Sequence, residues 1–184
     1  MCIRDRYWGN GREDELKSLN ENLPSSTSMT LTGGKIWGEV SESFLSTLKN
    51  NLSAGGKTYR PVSLWINWPV TDNSKQHLIL GGGEKFLHPN VDPSLLSGIM
   101  LNPMQQSEPS KIALFSGAQY SWKQWKSEEE AKKINDIAFN FVENGHFEDS
   151  KVSAAFRELG KHMINQNMDN RVVKLEESVD LAPK

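Results

Sequence analysis

The sequence predicts an α/β protein in which strands and helices alternate at first and helices alone follow. Up to residue 106, β-rich apolar runs alternate with helical patterns, which favours right-handed βα units and a parallel sheet. From Ser107 onward, apolar residues recur only at helical spacing. Hydrophobic residues make up 36% of the 184-residue chain, yet six Trp, seven Phe and three Tyr supply bulky side chains for a core or a ligand site.

The first elements are short. The spacing of Leu16, Leu19 and Leu23 predicts a surface helix. Residues 28–32 alternate between polar and apolar and predict a strand, which ends in a glycine pair suited to a loop beside a ligand. Ser41 is expected to cap the next helix. The apolar face of that helix consists of Phe44, Leu45, Leu48 and Leu52.

Two further apolar runs predict buried strands. Residues 62–67 read Val-Ser-Leu-Trp-Ile-Asn, and we expect a parallel strand that is covered on both faces. Residues 97–101 predict the next strand, which Asn102 and Pro103 close. Three glycines at 81–83 lie in the long loop between these strands. A phosphate cradle needs a helix directly after such glycines, and residues 86–89 interrupt one, so we interpret the segment as a plain flexible loop.

The rest of the chain predicts helices. The first begins near Ser107 with a proline in its first turn. The second begins with a capping box at residues 127–130 and ends at Gly145. Ser150 is expected to cap a third, and residues 172–179 are interpreted as the start of a fourth. Residues after about 126 therefore predict the opening of a helical bundle.

Composition excludes several functional classes. The 21 Lys and Arg against 23 Asp and Glu give a net charge of −2, so we expect no nucleic-acid partner. No apolar run approaches the ~20 residues that cross a bilayer, so no membrane span is predicted. Cys2 is the lone cysteine, which excludes an internal disulfide and a cysteine zinc cluster. No metal site or cofactor is predicted, because the histidines are scattered without ligand spacing: His77, His88, His146 and His162.

The first six residues, Met-Cys-Ile-Arg-Asp-Arg, carry neither a signal-peptide pattern nor a strand or helix pattern. They look like a translated sequencing-adapter scar, and we interpret residues 1–6 as an assembly artefact. The alternative is a native flexible tail. If the first interpretation holds, the chain is a fragment.

Polar and aromatic side chains gather where two predicted strands end. Trp65 and Asn67 close one strand, Asp72 follows in its loop, and Asn102 closes the next strand. Because the carboxyl ends of parallel strands converge on the ligand site of α/β folds, we expect these side chains to line one pocket. An aromatic wall with amide and carboxylate acceptors suits a sugar. Trp68 is a further pocket candidate.

Each of these residues also has a purely structural interpretation. Asp72 would form an Asx turn, Asn102 would be a turn former before proline, and Trp65 would pack in the core. Residue by residue, these interpretations are the stronger ones, and only a feature that ties the residues together favours the pocket.

Three segments supply such a feature, because they resemble the catalytic domain of glycoside hydrolase family 84. This family comprises β-N-acetylglucosaminidases that include O-GlcNAcases and enzymes labelled hyaluronoglucosaminidases. The segments are Thr32-Gly33-Gly34, the stretch from Trp65 to Asp72, and residues 98–114, Gly-Ile-Met-Leu-Asn-Pro-Met-Gln-Gln-Ser-Glu-Pro-Ser-Lys-Ile-Ala-Leu. Their order and spacing match as well, and the resemblance covers about residues 9–180.

The resemblance implies a fold and a set of roles. Residues 7–125 would be the last strands of a (β/α)8 TIM barrel, and residues 126–184 the beginning of an α-helical domain. By similarity, Asn67 and Asp72 would hydrogen-bond sugar hydroxyls, with Asp72 on the 4- and 6-hydroxyls. Trp65 would line the pocket around the N-acetyl group, and Asn102 would contact the sugar from the last strand. The partner implied is a glycan or glycoprotein that carries N-acetylglucosamine.

The resemblance also implies a reaction, the retaining, substrate-assisted hydrolysis of terminal β-linked N-acetylglucosamine. In that reaction the substrate's acetamido oxygen attacks the anomeric carbon, one Asp of an adjacent pair orients the amide, and the other is the general acid and base. No Asp-Asp dipeptide occurs in the 184 residues. We therefore expect no catalytic residue in this chain, an inactive fragment, and a parent enzyme that is secreted or at the cell surface.

Two other functions stay open from the sequence. One is a non-enzymatic carbohydrate-binding module that uses Trp65, Trp68 and Asp72. The other is a helical interaction module formed by residues 107–184.

Overall fold

The computed structural model describes residues 2–3, 13–34, 38–72, 78–145, 147–161 and 163, and shows a mixed α/β protein. Four strands form a parallel sheet in the order β1-β2-β3-β4. The strands are β1 (Cys2–Ile3), β2 (Met29–Thr32), β3 (Val62–Pro69) and β4 (Leu96–Asn102). The helices are α1 (Glu13–Asn22), α2 (Glu42–Leu52), α3 (Ser107–Trp122), α4 (Glu128–Asn144) and α5 (Lys151–Lys161).

The predicted order of elements is confirmed, and each predicted strand or helix within the described residues differs from the observed one by a few residues at most. The start predicted for a fourth bundle helix, residues 172–179, lies outside the described residues. Residues 1–6 require a correction, because no strand was expected there. Cys2 and Ile3 pair in parallel with Met29 and Thr30 of β2. The origin of this stretch in a sequencing adapter stays a prediction.

The helices begin where their capping residues predict. Ser41 Oγ accepts the N–H of Phe44 at 3.4 Å at the start of α2. Ser150 Oγ accepts the N–H of Ser153 at 2.9 Å at the start of α5. These bonds satisfy backbone donors that have no partner within the helix.

The capping box of α4 is confirmed with one change of partner. Ser127 Oγ accepts the N–H of Glu130 at 3.2 Å, as expected. The Glu130 carboxylate accepts the N–H of Lys126 at 2.6 Å, one residue before the cap itself. At the other end, Gly145 has a φ of 77°. This left-handed conformation is the one that favours glycine after a helix.

The sheet packs on helices through one face. Val62, Leu64 and Ile66 of β3 are all 0% exposed on that face. Leu101 of β4 lies so close to Gly117 of α3 that a methyl group at the glycine would overlap it. Gly160 of α5 is pressed in the same way against the Phe139 ring of α4. The two glycines therefore allow close approach of these elements.

The opposite face of β3 corrects the expectation that both faces are covered. Ser63, Trp65 and Asn67 are only half-buried, and they alternate with the fully buried residues. This pattern is the one expected of a strand with one packed face and one open face. The open face carries the candidate site. In the described part of the chain, no helix combines the length and apolar character needed to cross a membrane.

Candidate sugar-binding site

The site is built on the open face of the sheet at the carboxyl ends of the strands. Thr32, Trp65 and Met100 are neighbours across β2, β3 and β4 in the parallel register. Residues paired in this way project to the same face of a sheet. Asn67 lies two residues beyond Trp65 and therefore shares its face. The alternation of β3 thus places an aromatic and an amide side chain together on the open face.

Three of the predicted site residues form one hydrogen-bonded group. The indole N–H of Trp65 donates to Asn67 Oδ1 at 2.7 Å. The Asn102 side-chain N–H donates to the same oxygen at 3.1 Å. The latter bond crosses from β4 to β3, beside the irregular pairing of Pro69 with Asn102. The amide of Asn67 therefore links two strand ends.

Asp72 occupies a different position from this group. It is exposed, in a turn three residues after the end of β3. It therefore follows the same strand end as Asn67, and the turn agrees with its structural interpretation. Its role at a sugar stays a prediction.

Trp68 lies in the core and not in a pocket, so its prediction as a pocket residue is wrong. The alternative carbohydrate-binding module that used Trp65, Trp68 and Asp72 therefore loses one of its three residues. Its side chain is 0% exposed and stacks on Phe86 with ring centroids 6.1 Å apart. Its indole N–H donates to the carbonyl of Gly81 at 3.0 Å. The reason is the strand period, since Trp68 lies an odd number of residues from Trp65 and so faces the core.

The glycine segment 81–83 also differs from the plain flexible loop that was predicted. All three glycines are buried, and Gly83 begins a short 3₁₀ turn, Gly83–Lys85. A methyl group added at Gly83 would lie 2.9 Å from the Trp68 ring. The glycines therefore let the loop backbone pack directly on the indole.

Thr32, the neighbour of Trp65 in β2, is a candidate that the prediction did not single out, although its segment entered the resemblance. Its hydroxyl oxygen is buried and has no hydrogen-bond partner among the described residues. A buried hydroxyl without a partner is unfavourable, and a bound water or a ligand group would satisfy it. A sequence signal existed, because Thr32 ends a strand directly before a glycine pair.

Clustered metal ligands do not occur in the part of the chain that the structure describes: no three His, Cys, Asp or Glu side chains come together there. The chemistry available at the strand ends is therefore that of an indole ring, two carboxamides, a hydroxyl and, in the adjoining turn, a carboxylate. These groups match a ligand with both C–H faces and hydroxyls.

Comparison with known proteins agrees with this chemistry. The family model for beta-N-acetylglucosaminidase matches residues 1–161. The solved structure of the protein called CpGH84D is 28% identical, with a TM-score of 0.69, over 90% of this chain and 25% of that chain. For the protein called CpGH84B the identity is 25% and the TM-score 0.63, over 86% of this chain and 26% of that one.

A third similar structure is a mutant O-GlcNAc hydrolase from Thermobaculum terrenum. It is 22% identical, with a TM-score of 0.65, over 89% of this chain and 33% of that chain. At this identity the likeness concerns the fold alone. The chain spans about a quarter to a third of the length of these three structures.

Proposed function

This chain belongs to the β-N-acetylglucosaminidase family, and we propose that its strand ends form part of a pocket for a terminal β-linked N-acetylglucosamine residue. The observation that carries the proposal is the hydrogen-bonded group of Trp65, Asn67 and Asn102 on the open face of the sheet. The ligand would be a glycan or glycoprotein that bears this sugar, and the parent protein a glycoside hydrolase.

Each side chain has a role that fits its position. The half-buried Trp65 offers an aromatic surface for the C–H groups of the sugar and its N-acetyl methyl. Asn102 offers a carboxamide at the end of β4. The exposed carboxylate of Asp72 accepts hydrogen bonds from the 4- and 6-hydroxyls. The hydroxyl of Thr32, which has no hydrogen-bond partner among the described residues, supplies a further polar contact on the same face.

The proposed reaction is retaining hydrolysis in which the substrate's acetamido oxygen is the nucleophile. It requires an adjacent pair of aspartates, one to orient the acetamido group and one as general acid and base. The 184 residues contain no Asp-Asp dipeptide. We infer that the chain contributes sugar-binding residues while the acid and base belong to another part of the parent enzyme. The consecutive parallel strands β2, β3 and β4 are then the last strands of a (β/α)8 barrel, with a helical domain after residue 125.

Binding of the sugar is tested by NMR on the ¹⁵N-labelled full chain titrated with methyl β-N-acetylglucosaminide. We expect saturable shifts of the Trp65 indole and the Asn102 side-chain amide in the unmodified chain, and weaker binding in the Asn102→Ala variant, followed by its Trp65 indole signal. Asn50→Ala, at an exposed position of α2, is the matched control and leaves the titration unchanged. Shifts confined to residues far from the strand ends would contradict the proposal.

Catalysis is tested separately with an aryl β-N-acetylglucosaminide as substrate. The chain alone is expected to release no aryl alcohol above the buffer rate, because it lacks the acid and base. Appreciable turnover that a single Asp72→Asn substitution abolishes would overturn the assignment of the acid and base to another part of the enzyme.

A further inference from the structure

We propose that Trp65 is a positioning residue that fixes which atoms of Asn67 and Asn102 face a ligand. It would do so through its indole N–H, in addition to any contact of its ring with the sugar. The inference takes the identity of the ligand from the proposed function. The orientation of the two carboxamides depends on the protein alone.

The first step is the orientation of Asn67. An indole N–H donates a hydrogen bond and accepts none. The Asn67 atom that lies 2.7 Å from the Trp65 Nε1 is therefore the oxygen of the carboxamide. The two ends of an Asn side chain resemble each other in shape, so their assignment depends on such a neighbour. Because the Trp65 N–H can only donate, it fixes which end of the Asn67 carboxamide is the oxygen.

The second step is the orientation of Asn102. Its side chain approaches the same Asn67 oxygen at 3.1 Å, so the approaching atom is a nitrogen that donates. The carbonyl oxygen of Asn102 then lies on the other branch of its carboxamide. A carbonyl oxygen has two acceptor positions, and the Trp65 and Asn102 donors occupy both on Asn67.

The third step concerns the ligand. Since the Asn67 oxygen already accepts two hydrogen bonds, the acceptor offered to a sugar hydroxyl by these two residues is the oxygen of Asn102. A sugar that donates to this oxygen is preferred over an analogue in which fluorine replaces the hydroxyl, because fluorine cannot donate. Sites built around a defined hydrogen bond reject analogues that lack it. Trp65 thereby contributes to specificity through Asn67 and Asn102.

The orientation is tested without ligand, by hydrogen exchange of the Asn102 side-chain amide measured by NMR. Trp65→Phe keeps an aromatic ring and removes the N–H. It is expected to speed exchange of the Asn102 amide severalfold, because the indole donor that holds the Asn67 oxygen in place for Asn102 is removed. Trp122→Phe is the matched control, since that indole is 90% exposed on α3. Unchanged exchange in Trp65→Phe, with the backbone spectrum intact, would overturn the proposal.

The effect on ligand choice is tested by comparing methyl β-N-acetylglucosaminide with its 3-, 4- and 6-deoxyfluoro analogues. In the unmodified chain one analogue is expected to bind about fivefold more weakly, the effect of one neutral hydrogen bond. The penalty falls below about twofold in Trp65→Phe and in Asn67→Leu. The double variant should show the same penalty as either single variant, because both substitutions interrupt the same series of hydrogen bonds.

Asn67→Asp is the conservative counterpart of Asn67→Leu, because both oxygens of a carboxylate accept hydrogen bonds. The substitution preserves acceptance from Trp65 and Asn102, so the fluorine penalty is retained. An equal penalty in the unmodified chain and in Trp65→Phe would contradict the role of Trp65. If the unmodified chain binds none of the sugars, the proposed function fails, and the exchange experiment still decides the orientation.

Discussion

The two faces of β3 differ sharply in burial although their residues alternate along one eight-residue strand. On the packed face, Leu64, Ile66 and Trp68 are 0% exposed. On the open face, Trp65 and Asn67 are half-buried and hydrogen-bond to each other. One segment therefore supplies both the core and the candidate site, and a shift of one residue would exchange the roles of its side chains.

The two tryptophans of this strand show the same difference in their hydrogen bonds. The Trp68 N–H donates to a backbone carbonyl in the core, that of Gly81. The Trp65 N–H donates to the side chain of Asn67. The first bond fixes a core residue to a loop backbone, whereas the second orients a side chain on the open face.

The largest expected loss of stability comes from a substitution on the packed face. Trp68→Ala should lower the free energy of unfolding by about 3–5 kcal/mol, because it removes a fully buried ring and leaves a cavity. Trp65→Ala, the matched change on the open face, should cost markedly less stability and remove sugar binding instead. Urea denaturation of both variants measures the stability, and the sugar titration measures binding. Equal losses of stability would show that the faces are not energetically distinct.

A smaller effect comes from adding one methyl group to each side of the sheet. Gly83→Ala places a methyl 2.9 Å from the Trp68 ring and should destabilise by about 1–3 kcal/mol through overpacking. Gly98→Ala meets only Ser63 Oγ at 3.5 Å, an ordinary contact. That variant should be close to neutral in thermal unfolding. A destabilisation of Gly98→Ala as large as that of Gly83→Ala would contradict the close fit of the loop on Trp68.

The smallest expected effect concerns an ion pair between loops. His88 Nε2 lies 3.0 Å from Glu39 Oε2, beside the bridge of Val40 with Leu87. The hydrogen bond to Glu39 raises the pKa of His88 above its ordinary value of 6.5, and the charges of Glu39 and Glu128 add to this, while partial burial opposes it. Because the folded-state pKa is the higher one, the stabilisation is present below pH 6.5 and is lost as the pH rises through the folded-state pKa.

The size of this effect should be a few tenths of a kcal/mol, because both side chains are partly exposed to solvent. Urea denaturation between about pH 5.5 and 8.5, on either side of the ordinary histidine pKa, measures it. Glu39→Gln should flatten this part of the profile. A stability that rises with pH over the same interval would contradict the sign.

Local signals predicted much of the architecture. Ser41, Ser127 and Ser150 cap helices as expected, because a cap depends on backbone groups a few residues away. The positions of Trp65, Asn67 and Asn102 at strand ends follow from strand limits and parallel order. The hydrogen bond from Asn102 to Asn67 was not predictable, because it depends on the register of β3 against β4.

The predictions that the structure corrects concern burial, which depends on packing between segments far apart in the sequence. The run at 62–67 is apolar enough for two covered faces, yet nothing in its residues states which elements lie on each side. Trp68 was a pocket candidate because it follows Asn67, while the pleat turns it to the core. The three glycines predict a flexible loop at 81–83 because glycine permits many conformations, whereas the Trp68 ring packed against Gly83 restricts them.

The α/β class, the order of the predicted elements, the helix caps and the family follow from the amino-acid sequence, because residue periodicity and short motifs indicate them. Three features are visible only in the folded protein. One face of β3 is open, Trp68 packs in the core, and the side chains of Trp65 and Asn102 both donate a hydrogen bond to the Asn67 oxygen. The difference lies in the separation along the sequence of the residues that interact. Capping and periodicity act within a few residues, whereas burial and the hydrogen bond from Asn102 to Asn67 depend on neighbours from distant segments.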